Sequence, residues 1–339
     1  MISVALFNNK GGVGKTTLTY HLAHMLQRLG HRVLAVDLDP QSNLTAAFLD
    51  DEALEDVWQE SNGASGAEEA DQGAPTVAAA VKPIMEGMGD ILPCRAVTIA
   101  EGLWLVAGDL TLSSFEDRLS EAWPKGFTGD PAALRTTTAF HRIIQAAARE
   151  VDADIVLIDV GPNLGAINRA ALLAADTVLV PLAADLFSLR GLRNLGPTLR
   201  AWRRTWHYKV MPDLPSGIDA PAGLMHPLGY VIMQPTMRLD RPVRAYQRWL
   251  DRIPQVFASA VLDEPNAPPT GRPSEIATLR NYQSLMPLAH DARKPMFDLR
   301  SADGALGSTQ TLVQRCFQDF QSLSEKLLKR LEGLPAHTS

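Results

Sequence analysis

Ile2 to Asn8 is an apolar, β-branched run, and the nine residues after it, Asn9-Lys10-Gly11-Gly12-Val13-Gly14-Lys15-Thr16-Thr17, hold three glycines and two lysines. No other stretch limits the fold as strongly. An unbroken apolar run of this length reads as a buried strand. Thr16 to Leu29 then carries Leu18, Leu22, Met25, Leu26 and Leu29 at helical spacing, with Gly30 as the stop. Arg32 to Pro40 is a second buried run that ends in acid. Strand, glycine loop, helix, strand is a βαβ unit, and such units build parallel sheets. Further apolar runs follow at Gly102 to Leu110, Ala153 to Gly165, Ala175 to Ala183 and Leu228 to Pro235, with helical patterns at Pro131 to Arg149 and Thr309 to Leu331. The expected fold class is therefore α/β: a doubly wound, mostly parallel sheet with helices on both faces.

The glycine stretch departs from the ordinary phosphate loop, G-x-x-x-x-G-K-[ST], because its first glycine would fall on Asn9. The physics survives that change. Gly11, Gly12, Val13 and Gly14 bring backbone N–H groups together, and the loop feeds a helix N-terminus, where the dipole favours an anion. Lys15 is placed to reach the β- and γ-phosphates, and the Thr16 hydroxyl to hold Mg²⁺, with Thr17 next to it. Asp37 and Asp39 close the second strand two residues apart, so they share a face. Asp159 closes an apolar strand, where a carboxylate is costly unless a cation is near.

At these residues the chain resembles the ParA/MinD family of deviant Walker A ATPases, a branch of the P-loop NTPases. Lys10 to Thr17 matches its signature loop, VDLDPQSNLT (Val36–Thr45) its second acidic motif, and VLIDVGPNLG (Val156–Gly165) its Walker B strand. ADTVLVPLAADLFSLRGL (Ala175–Leu192) is similar to the strand and helix that follow. The resemblance to the ParA branch implies a Mg–ATP hydrolase acting as a homodimer. It implies that Lys10 crosses to the partner's nucleotide, that Asp39 orients the attacking water, and that Asp159 holds Mg²⁺ through water. Asp37 is left between supporting the loop and joining the magnesium shell. Adenine would be gripped by Gln234-Pro235 and by the segment containing Arg300. The family's D-x-P-P after Walker B is Asp159-Val160-Gly161-Pro162 here, which implies a more mobile or repurposed switch segment.

The net charge of −6 hides an asymmetry: Asp50 to Asp71 has nine acidic residues and no Lys or Arg, whereas Leu186 to Ala260 has eleven Lys or Arg against four Asp. Arg241, Arg244, Arg248 and Arg252 recur at helical spacing, and Arg200 and Arg204 belong to a second cluster. With the resemblance, these imply nonspecific DNA binding by the ATP-bound dimer, with a stimulating partner of the ParB kind; a solvated face or a protein partner is the plainer alternative. The expected organisation is one ATPase domain over 1–339, with an acidic, low-complexity excursion at 50–100 and insertions at 207–227 and 254–284.

Three other readings stay open at this level. In a MinD-like protein the last helix would bind a membrane, but its apolar face also suits packing on the sheet. An iron–sulfur carrier needs paired cysteines, and Cys94 and Cys316 stand alone. A regulatory subunit would signal its nucleotide state to a protein assembly. Lone cysteines, no long apolar run and no leader before the first strand lead to an expected cytoplasmic location, nucleoid-associated with ATP.

Overall fold

A computed structural model of the chain describes residues 1–63, 73–233, 243–266 and 273–334. The elements run β1 (Ile2–Leu6), α1 (Lys15–Arg28), β2 (Val33–Asp37), α2 (Asn43–Phe48), α3 (Asp51–Gly63), α4 (Val77–Glu86), β3 (Val97–Ala100) and β4 (Leu103–Val106). There follow α5 (Phe115–Lys125), α6 (Pro131–Thr137), α7 (Ala139–Glu150), β5 (Ile155–Asp159), α8 (Ala166–Ala174), β6 (Thr177–Ala183) and α9 (Leu186–Thr205). The last are β7 (His226–Met233), α10 (Val243–Leu250), α11 (Ile253–Val256), β8 (Glu275–Leu279), α12 (Met286–Ala292) and α13 (Ser308–Glu332).

The eight strands form one sheet in the order β3-β4-β2-β5-β1-β6-β7-β8. Every neighbouring pair is parallel except β3–β4. Apolar residues on alternate positions serve opposite faces. Val4 and Leu6 pack with α1 and α13, while Ala5 and Val36 pack with α4, α5, α7 and α8. Register matters most for function. Asp37 lies opposite Asp159, and Leu6 also pairs with Asp159. Three strands thus end level, and the loops that leave them meet at one rim, where doubly wound sheets bind ligands.

Several segments differ from their sequence patterns. The stretch 50–100 holds α3, α4 and β3, and Val77 to Val81 of α4 are buried in the core. Thr76 caps that helix by accepting the Ala79 N–H at 3.2 Å. A small-residue run that reads as low complexity is there a tightly packed helix. The stretch 254–284 contains β8, a parallel edge strand whose inward residues are Ile276 and Leu279. Pro131 to Arg149 breaks at Thr138, whose hydroxyl donates to the Leu134 carbonyl at 2.8 Å. The last helix buries Val313, Phe320, Leu323, Leu327 and Leu331 against α1 and the sheet. Among the described residues no helix is long and apolar enough to cross a membrane.

Candidate nucleotide site

The rim begins with the loop between β1 and α1. Gly12 and Gly14 have φ of 73° and 86°, a left-handed conformation that strains any residue with a Cβ. Lys15, the first residue of α1, is only 7% exposed. Burial lowers its pKa, and the carboxylates of Asp159 and Asp39 oppose the shift. The Thr16 hydroxyl donates to Asp159 Oδ2 at 2.6 Å. Asp159 is fully buried, and its Oδ1 has no hydrogen-bond partner. Burial, with Asp37 nearby, pushes its pKa up to about 8. An orphaned carboxylate oxygen beside a hydroxyl and an ammonium fits a hydrated divalent cation. No cluster of three or more protein metal ligands occurs among the described residues. Magnesium is usually held by one or two carboxylates with waters and substrate phosphates, and Asp159 beside the Thr16 hydroxyl offers such a set.

Asp39 is 7% exposed and accepts the Gln41 N–H at 3.0 Å, so its carboxylate is held at the mouth of the site. A Cβ on Gly161 would stand 3.3 Å from Asp39 Oδ1 and 3.5 Å from Asn168 Nδ2. A side chain at this position would crowd Asp39, and glycine leaves it room. Asn168 Nδ2 also donates to the carbonyls of Gly161 at 2.9 Å and Asn163 at 2.7 Å, tying this segment to α8. Asp37 is fully buried at the end of β2. Its oxygens accept the Asp39 N–H at 3.2 Å and both the N–H and hydroxyl of Thr45 at 2.8 Å each. These bonds fit loop support, one of the two roles left open for Asp37, the other being the magnesium shell.

Lys10 lies at the open edge of the loop. Its Nζ makes a short ion pair with Asp185, which also caps α9 by accepting the Ser188 N–H at 2.8 Å. Burial works to raise the Asp185 pKa, but the bonds from Lys10 and Ser188 hold it below its ordinary value. The exposed Phe187 ring lies 5.8 Å from the same ammonium. Asp185 is a site residue that sequence reasoning passed over; its signal was the Asp-x-x-Ser spacing of a helix cap.

Two cavities flank the loop. One of about 490 Å³ is lined by the loop, Asp39, Gln41, Pro162 and residues of α12. The other, of about 680 Å³, lies between the loop, Met233, Leu279 to Tyr282, Met286, Met296 and Phe320. The second has the apolar walls a nucleobase requires. Arg300, expected there, is exposed and lines a different pocket with Arg28, Phe297 and Phe317, so it does not meet the loop. Its segment turns away to cap a short helical turn through Asp303. Gln234 and Pro235 lie outside the described residues. Leu279 to Tyr282 line the second cavity without having been expected there, because they fall in and beside the weakly patterned β8.

The arginines divide. Arg204, Arg248 and Arg252 are exposed, and the last two lie 4.5 and 5.5 Å from the Trp249 ring. Arg200 instead donates to the Ala260 carbonyl at 2.6 Å and pairs with Asp263 at 3.4 Å, so its charge holds the turn after α11 and does not face solvent freely. Arg241 lies outside the described residues, and Arg244 belongs to the first turn of α10.

A parallel sheet whose first strand feeds a glycine loop, with lysine and threonine opposite a buried aspartate, defines a P-loop nucleotide-binding protein. Residues 1–211 match a family described as an AAA domain, and the chain belongs to the ParA/MinD family. A chromosome-partitioning ATPase Soj from Thermus thermophilus is 34% identical over 202 residues, 59% of this chain and 62% of that relative. The chain thus spans about three fifths of the length of such curated relatives. A crystal structure of a protein from Corynebacterium diphtheriae superposes with a TM-score of 0.66 at 24% identity, covering 98% of this chain and 99% of that one. A McdA–ATP complex from Cyanothece gives 0.61 at 15% identity, covering 100% and 99%. These two likenesses concern the fold.

Proposed function

We propose that this chain is a Mg–ATP hydrolase of the ParA partition type. In this reading it closes on ATP as a homodimer, binds DNA without sequence preference, and hydrolyses ATP when a partner protein stimulates it. The observation that carries the reading is the meeting of the buried Lys15, Asp159 and Asp39 with the half-buried Thr16 at the level ends of β1, β2 and β5. The names of the relatives support it: the Thermus protein is a chromosome-partitioning ATPase, and McdA was solved with ATP.

Each group has a task. N–H groups of Gly11 to Thr17 cradle the phosphates, and Lys15 neutralises charge on the β- and γ-oxygens. Thr16 and Asp159 would hold the magnesium, which would offset charge on the phosphate oxygens. Asp39 orients the water for in-line attack. Lys10 leaves Asp185 and reaches the partner's γ-phosphate, where developing charge makes a cation most effective. The apolar cavity beside Met233 and Tyr282 takes the base. Arg204, Arg248 and Arg252, with Arg241 and Arg244, meet DNA phosphates, and the ATP-bound dimer is nucleoid-associated.

The test is ATP turnover by the full chain with and without magnesium and DNA, alongside size measurement with ATP and with ADP. Magnesium-dependent turnover and an ATP-specific dimer are expected. Full-speed turnover by a species that stays monomeric would overturn the sandwich reading.

A further inference from the structure

Outside the phosphate contacts, a chain of polar groups, buried from Gly108 inward, runs from the acidic helix α3 to the backbone of Asp39. The Trp58 indole N–H donates to the Gly108 carbonyl at 3.2 Å. The N–H of the same Gly108 donates to Thr45 Oγ1 at 2.8 Å. The Thr45 hydroxyl, fixed in direction by that bond, donates to Asp37 Oδ2 at 2.8 Å. Asp37 Oδ1 then accepts the Asp39 N–H at 3.2 Å. Thr45 and Asp37 are both 0% exposed, so no water substitutes for a lost partner without rearrangement. The approach is tight. A Cβ on Gly108 would stand 3.0 Å from both Asp37 Cγ and the Asp37 carbonyl oxygen.

We propose that Thr45 and Asp37 are positioning residues for Asp39, and that Trp58 ties the seating of α3 to the same chain through Gly108. The inference rests on Asp39 being the group that orients water. Its physical basis is the geometry of a short loop. Asp39 Oδ1 is held from one side by the Gln41 N–H, while its own N–H is held from the other by Asp37. Both anchors are needed to fix the direction of the carboxylate. Small displacements of a general base or water-orienting group reduce the chemical step far more than they reduce ligand affinity.

The Thr45 hydroxyl has no contact with the cavities beside the loop, so its loss predicts a change in turnover without a change in ATP capture. The experiment is steady-state ATP hydrolysis by Thr45→Val, Thr45→Ser, Trp58→Phe and Asp39→Ala, each measured well below its Tm. Thr45→Val should lower kcat by about tenfold with KM within about twofold, the scale of one buried hydrogen bond to a charged group. Thr45→Ser, which restores the hydroxyl, should recover most of that loss. Trp58→Phe, a milder change that keeps the fold if Thr45→Val does not, should lower kcat about threefold at unchanged KM. A wild-type kcat in both Thr45→Val and Trp58→Phe, with Asp39→Ala inactive, would overturn the positioning role and leave the reading of Asp39 intact. Normal turnover in Asp39→Ala would remove the reading on which the inference stands.

Discussion

The sheet rim and the flank formed by α9 and α10 both looked, as sequence, like clusters of functional charge. At the rim, groups arrive from the β1 loop, β2, β5 and the turn before α9, and each is fixed by another: Thr16 on Asp159, Asp37 on Thr45, Lys10 on Asp185. On the flank the charges arrive mainly from two helices. One of them, Arg200, is taken up by carbonyls and an aspartate of its own fold. Convergence of distant segments on one buried point is hard to produce by chance. A basic stripe on one helix is common, because arginine serves equally well as a surface charge or as a tie between elements.

The sharpest way to break this contrast is at Lys10. Lys10→Ala should reduce ATP hydrolysis by about 10³-fold while ATP still binds, as expected for a cation that acts on the transferring phosphate; normal turnover would detach Lys10 from the rim's chemistry. Lys15→Ala should weaken ATP binding by roughly 100-fold, the loss of about 3 kcal/mol of charged hydrogen bonds, read by fluorescent-nucleotide titration. On the flank, Arg248→Glu with Arg252→Glu should weaken DNA binding by about tenfold or more and flatten its salt dependence, while ATP binding is unchanged.

Arg200 and Arg204 refine the division within one helix. Arg200→Ala should lower Tm by about 3 °C, from about 2 kcal/mol, with DNA affinity nearly unaffected. Arg204→Ala should do the reverse. Equal effects on DNA would erase the distinction drawn from the Ala260 contact.

The smallest effect concerns His21, behind the loop on α1. Its Nδ1 bonds the Thr17 carbonyl at 2.7 Å and its Nε2 accepts the Met296 N–H at 3.0 Å, so only the neutral ring satisfies both. Burial lowers its pKa to about 4. Because the folded pKa lies below the unfolded one, this contribution is complete above the unfolded value. It is lost as pH falls from about 6.5 toward 4, by up to about 1.4 kcal/mol per pH unit. Tm measured between pH 7.5 and 5 should fall less steeply in His21→Phe than in the parent.

The parallel sheet and the phosphate site were readable because their signals are local: β1, the glycine loop and α1 adjoin in sequence, and Asp39 and Asp159 each end an apolar run. β3 and β8 escaped because edge strands bury only one side and carry few large apolar residues. The buried α4 escaped because alanine packs tightly without announcing itself. An adenine contact was expected at Arg300, but the chain turns at Leu299 and Asp303 and carries that side chain to another pocket. Which arginines are engaged was invisible, since Ala260 and Asp263 lie about sixty residues from Arg200 and no pattern links them.

The pairing of Lys10 with Asp185 means that this lysine does not start free. Any anion that draws it away competes with a carboxylate already seated on a helix cap. Both side chains are about one third exposed, so the hold is modest, about 1 kcal/mol or less. A terminal phosphate, bearing more negative charge than one aspartate, is well suited to win that exchange.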